Sequence, residues 1–203
     1  MKSATEEITH CIGDAIGDGF FAGRIRIDGQ VFAIVVAPKL QGQRNDTTWN
    51  ISSKSVEGAM SYCDGMANTQ AMAEAGSRLA QWALDLRIGG HNDWYLPSQD
   101  ELEIIYRNLK PTAEQNWCYA RSGINLSAVE PTRPYTLDFP LQTQAPLFKE
   151  ACAEAFDPAW YWSSTQHISL PVYAWDQCFL NGNQDFYHNT DDLRARVVRR
   201  IAI

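Results

Sequence analysis

The chain switches between stretches with a two-residue apolar repeat and stretches with a helical one, and most switches fall at glycine, proline or asparagine. Two β-rich runs, residues 20–28 and 30–38, flank Asp28-Gly29, a pair that tolerates the positive φ angles of a tight hairpin. Residues 41–50 (QGQRNDTTWN) are polar and read as a loop. A helix is expected to begin near Ser53 or Ser55, because Val56, Ala59, Met60, Cys63 and Ala67 recur at helical spacing. Gly76 interrupts that stripe; Leu79, Trp82, Ala83 and Leu86 resume it, and Gly89-Gly90 close it.

A sharper local signal follows. Pro97 precedes Ser98-Gln99-Asp100-Glu101, a capping box, after which Leu102, Ile105, Tyr106 and Leu109 form the apolar face of a helix ending before Pro111. Residues 111–158 then hold six of the nine prolines (111, 131, 134, 140, 146 and 158), which marks an irregular insertion in which only 148–156 carries a helical pattern. The pattern turns β again to the end: 160–165, 172–180 closed by Asn181-Gly182, 184–188, and a last strand over 193–203. Residues 1–19 read as an N-terminal arm and 20–203 as one domain.

Composition narrows the classes. With 203 residues and 45% hydrophobic side chains the chain can bury a full core. The net charge of −7 disfavours nucleic acid and anionic membrane as partners, and the dense basic stretch is Arg194, Arg196, Arg199 and Arg200. No apolar run is long enough for a secretory signal or a bilayer span, so the expected location is a virion or the cytoplasm of the producing bacterium. The five cysteines are odd in number and widely spaced, which suits buried free thiols better than disulfides or zinc. No metalloprotease, nucleophile-elbow or phosphate-loop motif occurs, so catalysis is not expected.

Four blocks in order resemble a known family. GGHNDWYLPSQDEL (89–102) is similar to the signature of the Lcl C-terminal-domain family, and YWSST, YAWDQCFLNGNQDFYHN and RARVVRRI are similar to its later blocks. The matched blocks lie between residues 55 and 200. The resemblance implies an α+β, C-type-lectin-like fold, with two main helices on a small, twisted, mostly antiparallel sheet and the chain ends close together. Relatives on that fold include bacterial adhesin tips, sulfatase-activating enzymes and phage receptor-binding proteins, so fold alone does not give function. The sulfatase activators use a cysteine pair near the C-terminus; here Cys178 stands there alone. Sugar-binding C-type lectins hold calcium with a Glu-Pro-Asn loop and a Trp-Asn-Asp strand; Glu130-Pro131-Thr132 and Trp175-Asp176-Gln177 each depart from that pattern, and no cofactor is expected, calcium being the candidate to test.

Strand alternation separates Tyr173, Trp175, Gln177 and Phe179 from Ala174, Asp176, Cys178 and Leu180. Trp94 and Leu96 are expected in the core, with Asp93 holding the turn through its side chain and Trp175 and Phe179 in the core as well. Arg196 and Arg199 are expected to pair with carboxylates. The candidate ligand-binding residues are Tyr161, Tyr173, Asn181, Asn183, Asp185, Tyr187 and His188, contact-prone types around a rigid turn. The expected function is a non-enzymatic binding module, a phage or prophage tail-tip or receptor-binding protein for a host cell-surface protein or glycan. It is expected to contact other virion proteins and to form a homo-oligomer, a trimer by the resemblance. The alternatives are a glycan-binding adhesin and a sulfatase-activating type of oxidase.

Overall fold

A computed structural model describes residues 10–52, 54–119, 121 and 123–203. Residues 1–9 of the expected arm, and Ser53, lie outside the described residues. The rest is α+β, with ten strands and four α-helices among the described residues. Asp28 and Gly29 adopt φ of 49° and 83° and join β2 (Gly19–Ile27) to β3 (Gln30–Val36). The short β1 (Ala15–Ile16) pairs with β2, so residues 15–19 are already part of the sheet.

After β3 the chain makes one helical turn, α1 (Lys39–Gly42), and re-extends as β4 (Gln43–Thr47). The expected loop over 41–50 is therefore in good part a strand. Its sequence, QRNDT, is polar because β4 is an edge strand with its middle residues exposed.

Three helices follow: α2 (Gly65–Glu74), α3 (Arg78–Asp85) and α4 (Gln99–Leu109). The first starts later than the apolar stripe suggests. Gly58 sits at φ 92°, and the Ser61 hydroxyl accepts the amides of Cys63 and Asp64, holding that segment in turns. Asp64 then caps α2 by accepting from Ala67 N (3.1 Å). Gly76, at φ 88°, ends α2, and Ser77 caps α3. The two main helices expected are thus three of eight residues or more.

Beyond α4 come β5 (Ala128–Val129), β6 (Trp160–Gln166), β7 (Tyr173–Cys178), β8 (Gln184–His188), β9 (Leu193–Arg196) and β10 (Val198–Ala202). Where a helix over 148–156 was expected there is a 3-10 turn at Pro146–Phe148 and then further turns, with Ala151 at φ 65°. One sheet runs β1-β2-β3-β10, with β5 on β2; the other runs β4-β9-β6-β7-β8. Among the described residues only β6 and β9 pair in parallel.

The β3/β10 ladder passes directly into the β4/β9 ladder. Ala37 N donates to Val197 O (3.1 Å) and Val197 N to Gly42 O (2.9 Å), so residues 38–42 bulge out opposite one residue. That bulge breaks the expected last strand at Val197 and turns the ribbon from one sheet into the other. Ala195, Val197 and Val198 are all buried there.

Both faces of the first sheet are covered. Ile34 and Val36 pack with Leu102, Ile105 and Leu109 of α4, whereas Val35 and Ala37 pack with Leu79, Ala80 and Ala83 of α3. Trp94 and Leu96 lie in the second of these cores and Tyr95 in the first, with Trp94, Tyr95 and Leu96 all fully buried.

Candidate functional site

The signature segment is a structural knot. Glu101, the capping-box acid of α4, accepts Ser98 N (2.7 Å), the Tyr95 hydroxyl (2.6 Å) and, across to α2, Gly65 N (3.2 Å). Burial raises its carboxyl above the ordinary value, and these donors pull the other way. Asp93, expected to hold the turn through its side chain, also reaches across to the C-terminal strand. Both its oxygens take Arg199, at 2.8 and 2.9 Å. Burial opposes its ionisation, but the guanidinium wins and holds the carboxyl below its usual range. Arg196 pairs with Glu154 (2.6 Å) and Arg200 with Asp64 (2.9 Å), so the basic C-terminal stretch is spent on carboxylates.

The insertion over 111–158 clothes the polar side of α4, every residue of which is buried. Asp100 receives Arg121 (2.7 Å) and the Ser127 hydroxyl (2.9 Å), Glu103 receives Arg107 and Gly123 N, and the Lys110 ammonium binds Asn116 Oδ1 (2.9 Å) and the Glu114 carbonyl. Burial pushes the Asp100 carboxyl up to about 6 against the pull of Ser127 and Arg121.

The insertion also grips the hairpin tip. Trp117 N donates to Asn181 O (2.8 Å), the Thr112 hydroxyl to Leu180 O (2.5 Å) and the Tyr135 hydroxyl to Gly182 O (2.7 Å). Asn181 and Asn183 are half-buried in this joint, with the Asn181 side chain turned back onto Asn183 N. The tip is a docked corner rather than a free finger.

The remaining predicted residues divide between two faces. Tyr173 pairs with His188 and Trp175 with Phe186 on one face; Ala174 pairs with Tyr187 and Asp176 with Asp185 on the other. Tyr161 is fully buried, packed on Phe156 and Phe179 with ring centroids 5.1 and 5.0 Å away, and cannot meet a ligand at the surface. Phe179 is fully buried and Trp175 is 7% exposed.

The first face carries a continuous aromatic strip where α4 ends. His167 stacks on Trp175 (5.3 Å, 26°) and touches Phe186 (4.6 Å); Tyr173 meets Phe186 and His188 edge-on; Tyr62 lies 6.4 Å from Trp175, and Arg121 covers Tyr62 at 3.9 Å. Tyr62, His167, Tyr173, Phe186 and His188 are half-buried. The Trp175 Nε1 has no partner among the described residues. Exposed Ile168 and Leu170 border the strip on a loop tethered by His167 Nδ1, which accepts the amides of Ser169 and Leu170. Tyr62, Arg121, His167 and Phe186 were not among the residues predicted from sequence. They come from four separate segments, and no spacing joins them.

The second face is closed near Asp176, which is fully buried with neither carboxylate oxygen in a hydrogen bond of normal geometry among the described residues. Burial, then the neighbouring Asp185, push its carboxyl well above the ordinary range. Tyr187 packs on half-exposed Trp160 (5.4 Å). The open edge of β8 is blunted: the Phe186 amide donates to Asp185 Oδ1 (2.9 Å) and the His188 amide to Asp191 Oδ2 (3.2 Å).

Glu130 follows β5 beside the first sheet, whereas Asp176 lies in the second, so the two halves of the calcium comparison stand in different sheets. Among the described residues no three His, Cys, Asp or Glu side chains gather as a metal would need. Cys11, Cys118 and Cys152 are exposed, contrary to the expectation of buried thiols; Cys63 is half-buried and Cys178 buried, and all five are free. No helix among the described residues is long and apolar enough to cross a membrane.

No curated protein matches the chain significantly. The family model of the Lcl C-terminal domain matches residues 39–199, from α1 into β10 and through every element of the signature knot and the aromatic strip. The chain belongs to the Lcl C-terminal domain family.

Proposed function

We propose that this protein is a non-enzymatic binding module, a phage or prophage virion component at the tail tip or in the receptor-binding apparatus, which recognises a host surface ligand. The observation that carries the reading is the aromatic strip: half-exposed rings with polar edges, held rigidly on β7 and β8 and joined by Arg121. Such surfaces offer large contact area at small ordering cost. Its flat rings suit the apolar face of a sugar, so a surface glycan is the preferred ligand. The blunted edge of β8 argues against recognition by strand addition.

We read the α+β architecture as C-type-lectin-like, which would fit the same role: the first and last strands, β1 and β10, share one sheet, and a second, mostly antiparallel sheet follows from it. Assembly as a homo-oligomer, a trimer, belongs to the proposal and is tested by light scattering on the purified chain. A bacterial glycan-binding adhesin would use the same strip; a gene lying far from any tail cluster would favour it over the virion reading.

The direct test is binding to whole host cells by the wild type, Tyr173→Ala, Phe186→Ala and, as a control on the other face, Tyr187→Ala. Loss of roughly tenfold or more is expected for the first two variants, the size of a hot-spot truncation. Wild-type binding by both would remove the strip from consideration.

A further inference from the structure

We propose that a cleft on another side of the molecule, between residues 10–14, the C-terminal half of α4 and the proline-rich segment, is a second binding site that takes an extended peptide bearing acidic side chains. The cleft encloses about 1030 Å³, ample for several residues of peptide. Arg24, Arg107 and Arg133 line it, together with two carboxylates, Glu130 and Asp14, the latter accepting the Cys11 amide (2.7 Å).

Their states differ in a way that points to a ligand. Arg107 is nine-tenths buried and gives its Nη2 to both oxygens of Glu103 (3.0 Å each), so its charge is answered inside the protein. Arg24 has no ion pair or side-chain hydrogen bond among the described residues, and its Nε is buried without a partner. Arg133 is exposed, and only its backbone amide is used, by Asn108 Oδ1 (3.1 Å). Arg121, Arg194, Arg196, Arg199 and Arg200 have carboxylates, whereas Arg24 and Arg133 have none among the described residues; Arg26, Arg44, Arg78 and Arg87 lack one too but do not line this cleft, so here two guanidiniums without an ion pair face one cavity and leave a site for an anion from outside.

The other lining chemistry favours peptide over sugar. Gln142 and Gln144 each give one amide N–H, to the Pro111 and Gln142 carbonyls (2.7 and 3.4 Å), and their side-chain carbonyls are left as acceptors for a ligand's N–H groups. The apolar wall is made of proline rings and Leu141 with Phe139, a surface for aliphatic side chains, not the bank of aromatic faces found on the strip.

The test uses fluorescence anisotropy with a labelled peptide of alternating leucine and aspartate, its leucine–lysine counterpart and an oligouronate, all on the full chain. The acidic peptide is expected to bind and to weaken in about 0.5 M salt, and the lysine peptide to stay free. Arg24→Gln is expected to weaken binding about tenfold or more, Arg133→Gln by a smaller factor, and Tyr173→Ala not at all. No binding of the acidic peptide up to about 1 mM, or binding unchanged by both arginine variants, would overturn the proposal. So would tighter binding of the oligouronate, or loss of peptide binding in Tyr173→Ala, which would move the contact to the strip. If Arg24→Gln fails to fold, the exposed Arg133→Gln decides: unchanged affinity there overturns the proposal.

Discussion

Removing Glu154 while leaving Arg196 in place is expected to be more damaging than removing Arg196 itself. The Arg196 side chain is wholly buried. Its Nε donates to Ala37 O (2.9 Å), Nη1 to Glu154 O (2.7 Å) and Nη2 to Glu154 Oε2 (2.6 Å), and its guanidinium lies 4.8 and 5.6 Å from the rings of Phe156 and Phe148. Burial brings its pKa down to about 10 despite the opposing pull of Glu154, so desolvation outweighs the attraction. Glu154→Ala deletes a charge-assisted bond, together with the acceptor for Lys39 N (2.7 Å), and strands a dry cation on two carbonyls; about 3 kcal/mol follows. Arg196→Met puts an apolar chain of similar length between the same two rings, and Glu154, 16% exposed, can turn to water; about 2 kcal/mol follows.

The double variant no longer contains the stranded cation and is expected near 3 kcal/mol, a coupling of about 2 kcal/mol. Urea unfolding followed by tryptophan fluorescence, with equal m-values across the four proteins, measures all the terms. A loss below about 1 kcal/mol for Glu154→Ala, or a larger loss for Arg196→Met than for Glu154→Ala, would refute the view that the dry charge dominates this joint.

Other consequences are as definite. Gly182→Ala places a methyl group 2.6 Å from Tyr106 Cζ at a residue with φ 77°; a loss of about 2–5 kcal/mol is expected, and an unchanged thermal midpoint would show that the tip is not docked. Asp176 has a folded-state pKa above its unfolded value, so its share of stability is present below about pH 4 and is lost as pH rises toward the folded value, at up to ~1.4 kcal/mol per pH unit. Asp176→Asn should therefore flatten the fall in thermal midpoint from acid to neutral pH, leaving the parts due to Glu101 and to Asp100, whose own loss is complete soon above pH 6; a wild-type slope in the variant would contradict the assignment. Asp185→Ala frees the Phe186 amide on the β8 edge and should raise self-association in sedimentation, where a monomer indistinguishable from wild type would sink the edge-blocking role.

What could be read in the sequence was what local chemistry decides. The Asp28-Gly29 turn and the Ser98–Glu101 capping box are settled within four residues, and both form as expected. The pairing of Arg196 and Arg199 followed from a rule about buried charge, though the partners, Glu154 and Asp93, lie 42 and 106 residues away and could not be named. β4 was hidden because an edge strand carries the composition of a loop, and the start of α2 because Gly58 and the Ser61 hydroxyl outbid an apolar stripe that is real but not helical.

The site was legible only in half, and the reason is geometric. A period of two divides Tyr173 and Trp175 from Ala174 and Asp176 correctly, and the register confirms the division. It does not say which face is covered, or how far along. β6 shows the difficulty: Tyr161 faces the α4 core under Phe156 and Phe179, Trp162 the α3 core, and both are fully buried, so alternation there separates two interiors rather than an interior from a surface. Along residues 173–179 the same α4-facing side is buried at Phe179, Gln177 and Trp175 and opens only at Tyr173, beyond the capped end of α4. The position of that end, set by Glu101 binding Ser98 and Gly65 together, decides where the covered face stops and the aromatic strip begins. The structural signature and the aromatic strip thus share one boundary.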